Sequence, residues 1–200
     1  GDEDGVPIVD VDSGYMEYKE EVVDGRVQKI GVGRPMLVMK CRNLKYYFAD
    51  QVPAKGGDAH AVKILNHNVT QVLGYNRVVV KTDQENAIKG LVNKWKAMKT
   101  VEIIPEKSPV GDSQSNAHAE NAMKQCKGSA RALKIALEDK LKADIPMDHP
   151  ILAWMVKRGA QQLNHYRVGE DGKTAFRRLR GRDFNGKVVE SLVNMFGILD

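Results

Sequence analysis

Two acidic residues far apart in the chain have the setting of metal ligands. Asp83 follows the apolar run VVV in the stretch KTDQE, and Glu120 follows after thirty-six intervening residues, in SNAHAENAMKQCKGSARALK. Asp83 ends a predicted buried strand, whereas Glu120 enters a predicted long helix. Two carboxylates that a fold brings together can share a divalent cation. Acids at this spacing are common by chance, so the setting of the pair carries more weight than the interval.

The helix that contains Glu120 also carries a row of cations. At about 100° per residue, four basic residues fall within roughly 40° of Glu120 around the helix axis. They are Lys124, Lys127, Arg131 and Lys134. A row of Lys and Arg is usually only a solvated helix face. Beside a metal ligand, however, the same row predicts a surface that binds phosphate groups.

A third carboxylate is needed for phosphodiester chemistry with two metal ions, because the ligands must hold the ions about 3.5–4 Å apart. Asp10 and Asp12 in the first predicted strand both qualify. They are two residues apart and project from the same face of the strand, so alternation does not choose between them. Asp12 is better placed because it lies at the strand end, beside Gly14. Oxygen ligands of this kind favour two Mg²⁺ or Mn²⁺ ions.

Hydrophobic periodicity predicts an α/β protein with a mixed sheet flanked by helices. Three strands form a meander, and a helix, a strand, a helix, a strand and a long helix follow. The strands are predicted at 6–12, 35–41, 46–52, 77–83 and 101–106, and the helices at 58–73, 85–98, 115–143 and 150–166. Helical crossovers would join the parallel strands. The polar, Gly-punctuated segment after Tyr15 is expected to form a hairpin.

Composition narrows the range of partners. The 200 residues carry a net charge of +5, with an acidic beginning and a basic segment from Lys157 to Lys187. That asymmetry fits a polyanionic partner and fits a solubilising surface equally well. Cys41 and Cys126 are the only cysteines in the sequence, which is too few for a disulfide framework or a multi-Cys zinc site. We expect both to be buried thiols in a reducing compartment. The sequence has no apolar run near the roughly 18 residues of a membrane span, so no membrane partner is expected.

Three segments together resemble the catalytic core of retroviral and retrotransposon integrases, nearest to the copia-type polyproteins. They are VDVDSGYM, the KTDQE strand end, and the S-P-x-G-D-S-x-x-N-x-x-x-E run that leads into the basic helix. The resemblance implies an RNase H-like fold with a five-stranded mixed sheet. It also implies that Asp12, Asp83 and Glu120 are the catalytic and metal-binding triad. Integrases of this kind trim the 3′ ends of cDNA with water and join them to target DNA.

The resemblance also implies roles for the neighbours of the triad. Asn116, Lys124 and Lys127 match positions at which integrases contact DNA, and the helix face extends that surface to Arg131 and Lys134. The interval between Asp83 and Glu120 is one residue longer than is usual in the family, and the loop around Gly111 can hold the extra residue.

The organisation expected from the resemblance is that of a fragment of a polyprotein. Residues 1–5 would be a tail, residues 6–168 the catalytic core, and residues 169–200 a basic extension that begins a truncated downstream region. The expected partners are DNA ends, target DNA and further copies of the chain in a homodimer or higher oligomer. The expected location is intracellular, in a cytoplasmic particle and then in the nucleus at integration.

Two alternatives remain open at this point. One is a DNA-binding or assembly module that keeps the fold and charge but has lost the chemistry. The other is an RNase H-like nuclease, which shares the fold and the metals but cleaves RNA–DNA hybrids. His118 is two residues before Glu120, but its helical phase turns it away from the Glu, so we predict a capping or surface role.

Overall fold

Seven strands form one large sheet and one hairpin in the computed structural model, which describes residues 5–82, 85–105 and 113–186. The strands are β1 (Ile8–Gly14), β2 (Glu17–Val23), β3 (Arg26–Val32), β4 (Met36–Cys41), β5 (Tyr46–Gln51), β6 (Arg77–Thr82) and β7 (Glu102–Pro105). The large sheet has the order β5-β4-β1-β6-β7. β1 pairs antiparallel with β4 and parallel with β6, so the sheet is mixed. The predicted five-stranded mixed sheet is confirmed.

The hairpin of β2 and β3 is an excursion between β1 and β4, as expected from the sequence. Asp24 and Gly25 form its turn, and both have positive φ angles, of 50° and 71°. Two positive φ angles are typical of the two-residue turns whose twist matches that of a hairpin, and Asp-Gly is a preferred pair for them.

Helices cover both faces of the large sheet. They are α1 (Ala59–His67), which continues into the π-helical turn Asn68–Val72, and α2 (Asn86–Ala97), α3 (Ser113–Leu141), α4 (Ile151–Tyr166) and α5 (Ala175–Arg180). One apolar core joins α1 and α2 to the sheet and contains Val9 and Val11 of β1. A second core joins α3 and α4 to the opposite face. Because side chains alternate along β1, its even-numbered residues face α3.

The strand β1 extends two residues beyond its predicted end at Asp12, through the predicted break at Ser13 and Gly14. Both residues pair with β4, Ser13 opposite Leu37 and Gly14 opposite Met36. The Ser-Gly dipeptide is therefore part of the strand, because the neighbouring strand supplies pairing partners that sequence punctuation does not reveal.

The short helix α5 packs against the core. The guanidinium of Arg178 donates to the carbonyl of Leu44, at 3.3 Å, and Leu179 packs against the core on the α1 side. The boundary between residues 168 and 169 stays a prediction, and residues 187–200 lie outside the described part of the chain. Of the helices within the described ranges, none has the length and apolar character needed to cross a membrane.

Asn164 binds the backbone of β5 and was not singled out by the sequence pattern. Its side chain is buried, accepts from the N–H of Tyr47 and donates to the carbonyl of Tyr47, both at 2.7 Å.

We expect Asn164→Ala to lower the free energy of unfolding by about 3 kcal/mol, because two buried backbone groups lose their partners. Urea denaturation would measure the change. Asn93→Ala, at an exposed position of α2, should change it by less than about 0.5 kcal/mol. Equal effects of the two substitutions would contradict the assignment.

Both cysteines are buried thiols, as predicted. Burial raises the pKa of Cys41, and it raises that of Cys126 from its ordinary value of 9.0 to about 12. Because the thiolate is the reactive form, we expect neither to react with a thiol reagent in the folded protein and both to react after unfolding. Rapid labelling of the folded chain at either position, measured by mass spectrometry, would show that its thiol is accessible.

The same pKa shift predicts how stability depends on pH. A group whose pKa is higher in the folded chain than in the unfolded chain contributes its full stabilisation below the unfolded pKa and loses it as the pH rises. Between about pH 9 and about pH 11, Cys126→Ala should therefore lose less stability than the unsubstituted protein. Parallel curves for the two proteins would contradict this expectation.

Candidate active site

Asp12 and Glu120 line the same open cleft, although they are far apart in the sequence. Asp12 lies near the end of β1 and is half-buried, and its Oδ1 accepts from the N–H of Ser13 at 2.7 Å. Glu120 is exposed on α3, which packs against β1. The cleft is also lined by Tyr18, Met123, Lys124, Lys127 and Arg131. The fold thus brings together two predicted acids and a group of cations.

The predicted third acid, Asp83, lies outside the described residues. The strand before it is described: Thr82, at the end of β6, pairs in parallel register with Val11, the residue before Asp12. The side chain of Asn116 also lies outside the described part. Within residues 5–82, 85–105 and 113–186, no group of three or more His, Cys, Asp or Glu side chains could hold a metal ion.

Asp10 and Asp12 have different surroundings, which strand alternation could not distinguish. Asp10 is buried, and its carboxylate accepts two hydrogen bonds from Arg42, at 2.6 and 2.8 Å. This bidentate pair occupies both oxygens of Asp10. Asp12 lines the cleft that Glu120 also lines, and Asp10 is absent from that lining.

Lys127 is a half-buried cation of the cleft. Its ammonium group lies 5.1 Å from the centre of the Tyr18 ring, within the range of a cation–π interaction. Burial lowers the pKa of Lys127, and nearby Arg131 lowers it further, whereas Tyr18 and Asp12 act in the opposite direction. A phosphate group at this position would stabilise the charged form of Lys127.

The other predicted cations divide into two groups. Lys124 is exposed in the cleft, and Arg131 lines it while donating to the carbonyl of Met16. Lys134 lies outside the lining and pairs with Glu138 at 2.6 Å. Glu138 also accepts from the N–H of Ile145, at 2.7 Å, just beyond the end of α3. Three of the four predicted cations therefore line the cleft, and the fourth stabilises the end of its helix.

Tyr18 is a cleft residue that the sequence pattern did not reveal. It lies on β2, and its hydroxyl accepts from the N–H of Tyr15 at 3.1 Å. A Cβ atom on Gly14 would lie 3.3 Å from both the Tyr18 hydroxyl and the Lys127 ammonium, so both groups approach the backbone of β1 closely at this glycine. The only sequence signal was the expected hairpin after Tyr15, since its position relative to α3 depends on packing.

His118 faces away from Glu120, as its helical phase predicted. It lines a second cleft, on another face of α3, together with Arg42 and Asn121. Burial lowers its pKa, and the charge of Arg42 contributes in the same direction.

Comparison with solved structures identifies the fold. The chain is similar to the catalytic core domain of BIV integrase, with a TM-score of 0.52 and 14% sequence identity, over 96% of this chain and 99% of that one. The predicted integrase-like, RNase H-like fold is confirmed. Neither a protein-family model nor a curated protein matches the chain.

Proposed function

We propose that this chain is the catalytic core of an integrase, a metal-dependent polynucleotidyl transferase that trims the 3′ ends of retroelement cDNA and joins them to target DNA. The main supporting observation is the cleft in which Asp12 and Glu120 lie beside Lys124, Lys127 and Arg131. Carboxylates at the end of a sheet and cations along the adjoining helix are the two components that phosphodiester chemistry requires. The integrase-like fold supports the same proposal.

The donor chemistry of the cleft fits a divalent cation. Asp12 and Glu120 offer carboxylate oxygens, which Mg²⁺ and Mn²⁺ prefer. In the proposal these two residues and Asp83 hold two ions. When bound, the ions would activate the attacking oxygen and stabilise the leaving oxygen.

The cations of the cleft have a separate task in the proposal. Lys124 and Lys127 lie one and two helical turns after Glu120, so they can bind the phosphates that flank the scissile bond. Arg131 extends this surface by one more turn, and Asn116 is proposed as a further DNA contact. Lys134 is a weaker candidate because it is paired with Glu138.

The test is an assay of DNA-end joining with purified protein. We expect 3′-end trimming, strand transfer or the reverse disintegration reaction in the presence of Mg²⁺ or Mn²⁺, and no product with a chelator. Cleavage of RNA–DNA hybrids without joining of DNA ends would favour the RNase H-like nuclease. Salt-sensitive DNA binding without any metal-dependent reaction would favour the non-catalytic module.

The proposal extends to assembly and location. Joining two cDNA ends to one target requires more than one active site, so we propose a homodimer or larger oligomer. The location would be intracellular, with a cytoplasmic particle preceding nuclear integration. A monomer at all concentrations in light scattering would contradict the proposed assembly.

A further inference from the structure

A second cleft lies on another face of α3, away from Glu120. Its volume is about 380 Å³, and His118 and Asn121 of α3 form part of it. We call it the basic cleft because its lining includes five cationic side chains and one carboxylate. The charged residues are Lys40, Arg42, Lys45, Arg167, Arg178 and Glu170. They come from β4, the β4–β5 turn, the end of α4, the α4–α5 loop and α5, so the concentration of charge results from the fold.

Arg178 holds one wall of the basic cleft together. Its guanidinium pairs with Asp171 and donates to the carbonyls of Lys173, at 3.0 Å, and Leu44, at 3.3 Å. The loop of residues 168–174 is closed by a bridge between its ends. A Cβ atom on Gly169 would overlap the Arg178 guanidinium, which therefore occupies space that only glycine leaves open. These contacts fix the wall in place.

The cations of the basic cleft are unevenly neutralised. Arg42 pairs with Asp10, and Arg178 pairs with Asp171. Nine ion pairs occur among the residues that the structure describes, and none of them includes Lys40, Lys45 or Arg167.

Lys40 is partly buried among the other cations of the basic cleft. Its ammonium group lies 5.2 Å from the centre of the Tyr47 ring. Burial lowers the pKa of Lys40, and Arg167, Arg42 and Lys45 lower it further, with Asp10 acting against them. An anion in the basic cleft would reduce the mutual repulsion of these groups.

We infer that the basic cleft binds a backbone phosphate of DNA. Guanidinium and ammonium groups in a concave site match the oxygens of a phosphate group, and a cleft of about 380 Å³ has room for that group. DNA is favoured over a free phosphate ester because the two clefts adjoin: both border α3 and both have Leu163 in their lining, so a polymer with many phosphates suits the pair of clefts better than a small ligand does. The inference rests on the proposed function for the identity of the ligand, but binding here requires neither the metal nor the acids.

The test compares two double substitutions that remove the same charge. Lys45→Gln with Arg167→Gln changes exposed cations of the basic cleft, whereas Lys63→Gln with Lys89→Gln changes exposed cations on α1 and α2. Binding of fluorescent duplex DNA is measured in EDTA, over a range of salt concentrations. We expect the first pair to weaken binding about tenfold and to reduce the salt slope by roughly 0.9 for each phosphate that the protein no longer neutralises. The control pair should change binding less than about twofold.

Glu170→Gln provides a test in the opposite direction. It removes the carboxylate from the lining, so DNA binding in EDTA should become tighter by about twofold or more. Weaker binding would overturn the inference, and so would equal losses of affinity in the two double variants.

A separate measurement distinguishes DNA from a free phosphorylated ligand. Pyrophosphate at constant ionic strength could raise the melting temperature of the unsubstituted protein but not that of the Lys45 and Arg167 variant, while both proteins bind DNA equally. The ligand of the cleft would then be a small phosphorylated anion, and the inference would be wrong. Failure of the catalytic proposal would give a different result. The Lys45 and Arg167 variant would still bind DNA more weakly than the unsubstituted protein, but neither protein would join DNA ends in the presence of metal. Normal DNA binding by the variant, together with active joining, would overturn only the present inference.

Discussion

Replacing Asp12 with Asn should reduce the rate of metal-dependent strand transfer about a thousandfold, a loss of about 4 kcal/mol of transition-state stabilisation. Asn keeps the size of the side chain but removes the negative charge that a divalent cation requires. Glu120→Gln should have a similar effect, since both carboxylates line the same cleft. Single-turnover kinetics with a DNA-end substrate would measure the rate, because turnover limited by product release would conceal part of the loss.

The controls separate loss of chemistry from loss of folding. Asp139→Asn, at an exposed position near the end of α3, should leave the rate within about twofold. Asp12→Asn should keep its DNA affinity in EDTA and unfold as cooperatively as the unsubstituted protein. A rate within tenfold of the original would exclude Asp12 as a ligand. The candidate ligand on β1 would then be Asp10, the other acid on the same face of the strand.

Replacing Arg42 with Ala should lower the free energy of unfolding by about 4 kcal/mol, because the carboxylate of Asp10 would remain buried without its partner. The Asp10 side chain is completely buried, and the Arg42 side chain is 22% exposed. The two hydrogen bonds between them join β1 to the chain just beyond β4. Urea denaturation at neutral pH would measure the loss.

Two comparisons show whether the buried charge is the cause. The double variant Asp10→Ala with Arg42→Ala should be less destabilised than the sum of the single variants, since it buries no unpaired charge. The surface pair of Arg77 and Glu102, with side chains 54% and 65% exposed, provides the matched control. Arg77→Ala should cost less than about 1 kcal/mol. Additive effects at Asp10 and Arg42, or equal losses at Arg42 and Arg77, would contradict this explanation.

Much of the architecture could be predicted because each element of secondary structure has a short-range signal. The apolar run before Asp83 predicted a strand, and it forms β6. The helical spacing of Leu91 and Trp95 predicted an apolar helix face, and both residues lie on the buried side of α2. The phase of α3 correctly separated Cys126, which is buried, from Lys124, which is exposed. Strand alternation and helical phase depend only on neighbouring residues, so the sequence is sufficient for them.

Other features depend on residues that are distant in the chain. Alternation placed Asp10 and Asp12 on one face, but only the position of Arg42 shows which of them is paired. Lys134 shares the helical phase of Lys127, yet the chain beyond α3 gives it a different environment.

The sequence by itself determined the order of the elements, the faces of its strands and helices, and the residue types available for metal and phosphate binding. Only the tertiary structure decided that Asp12 shares a cleft with Glu120, that Tyr18 forms part of its wall, and that a second group of cations surrounds Lys40. The reason is physical. Local periodicity sets the direction of a side chain, whereas a site requires side chains from separate elements at defined distances, and those distances depend on how the whole chain packs.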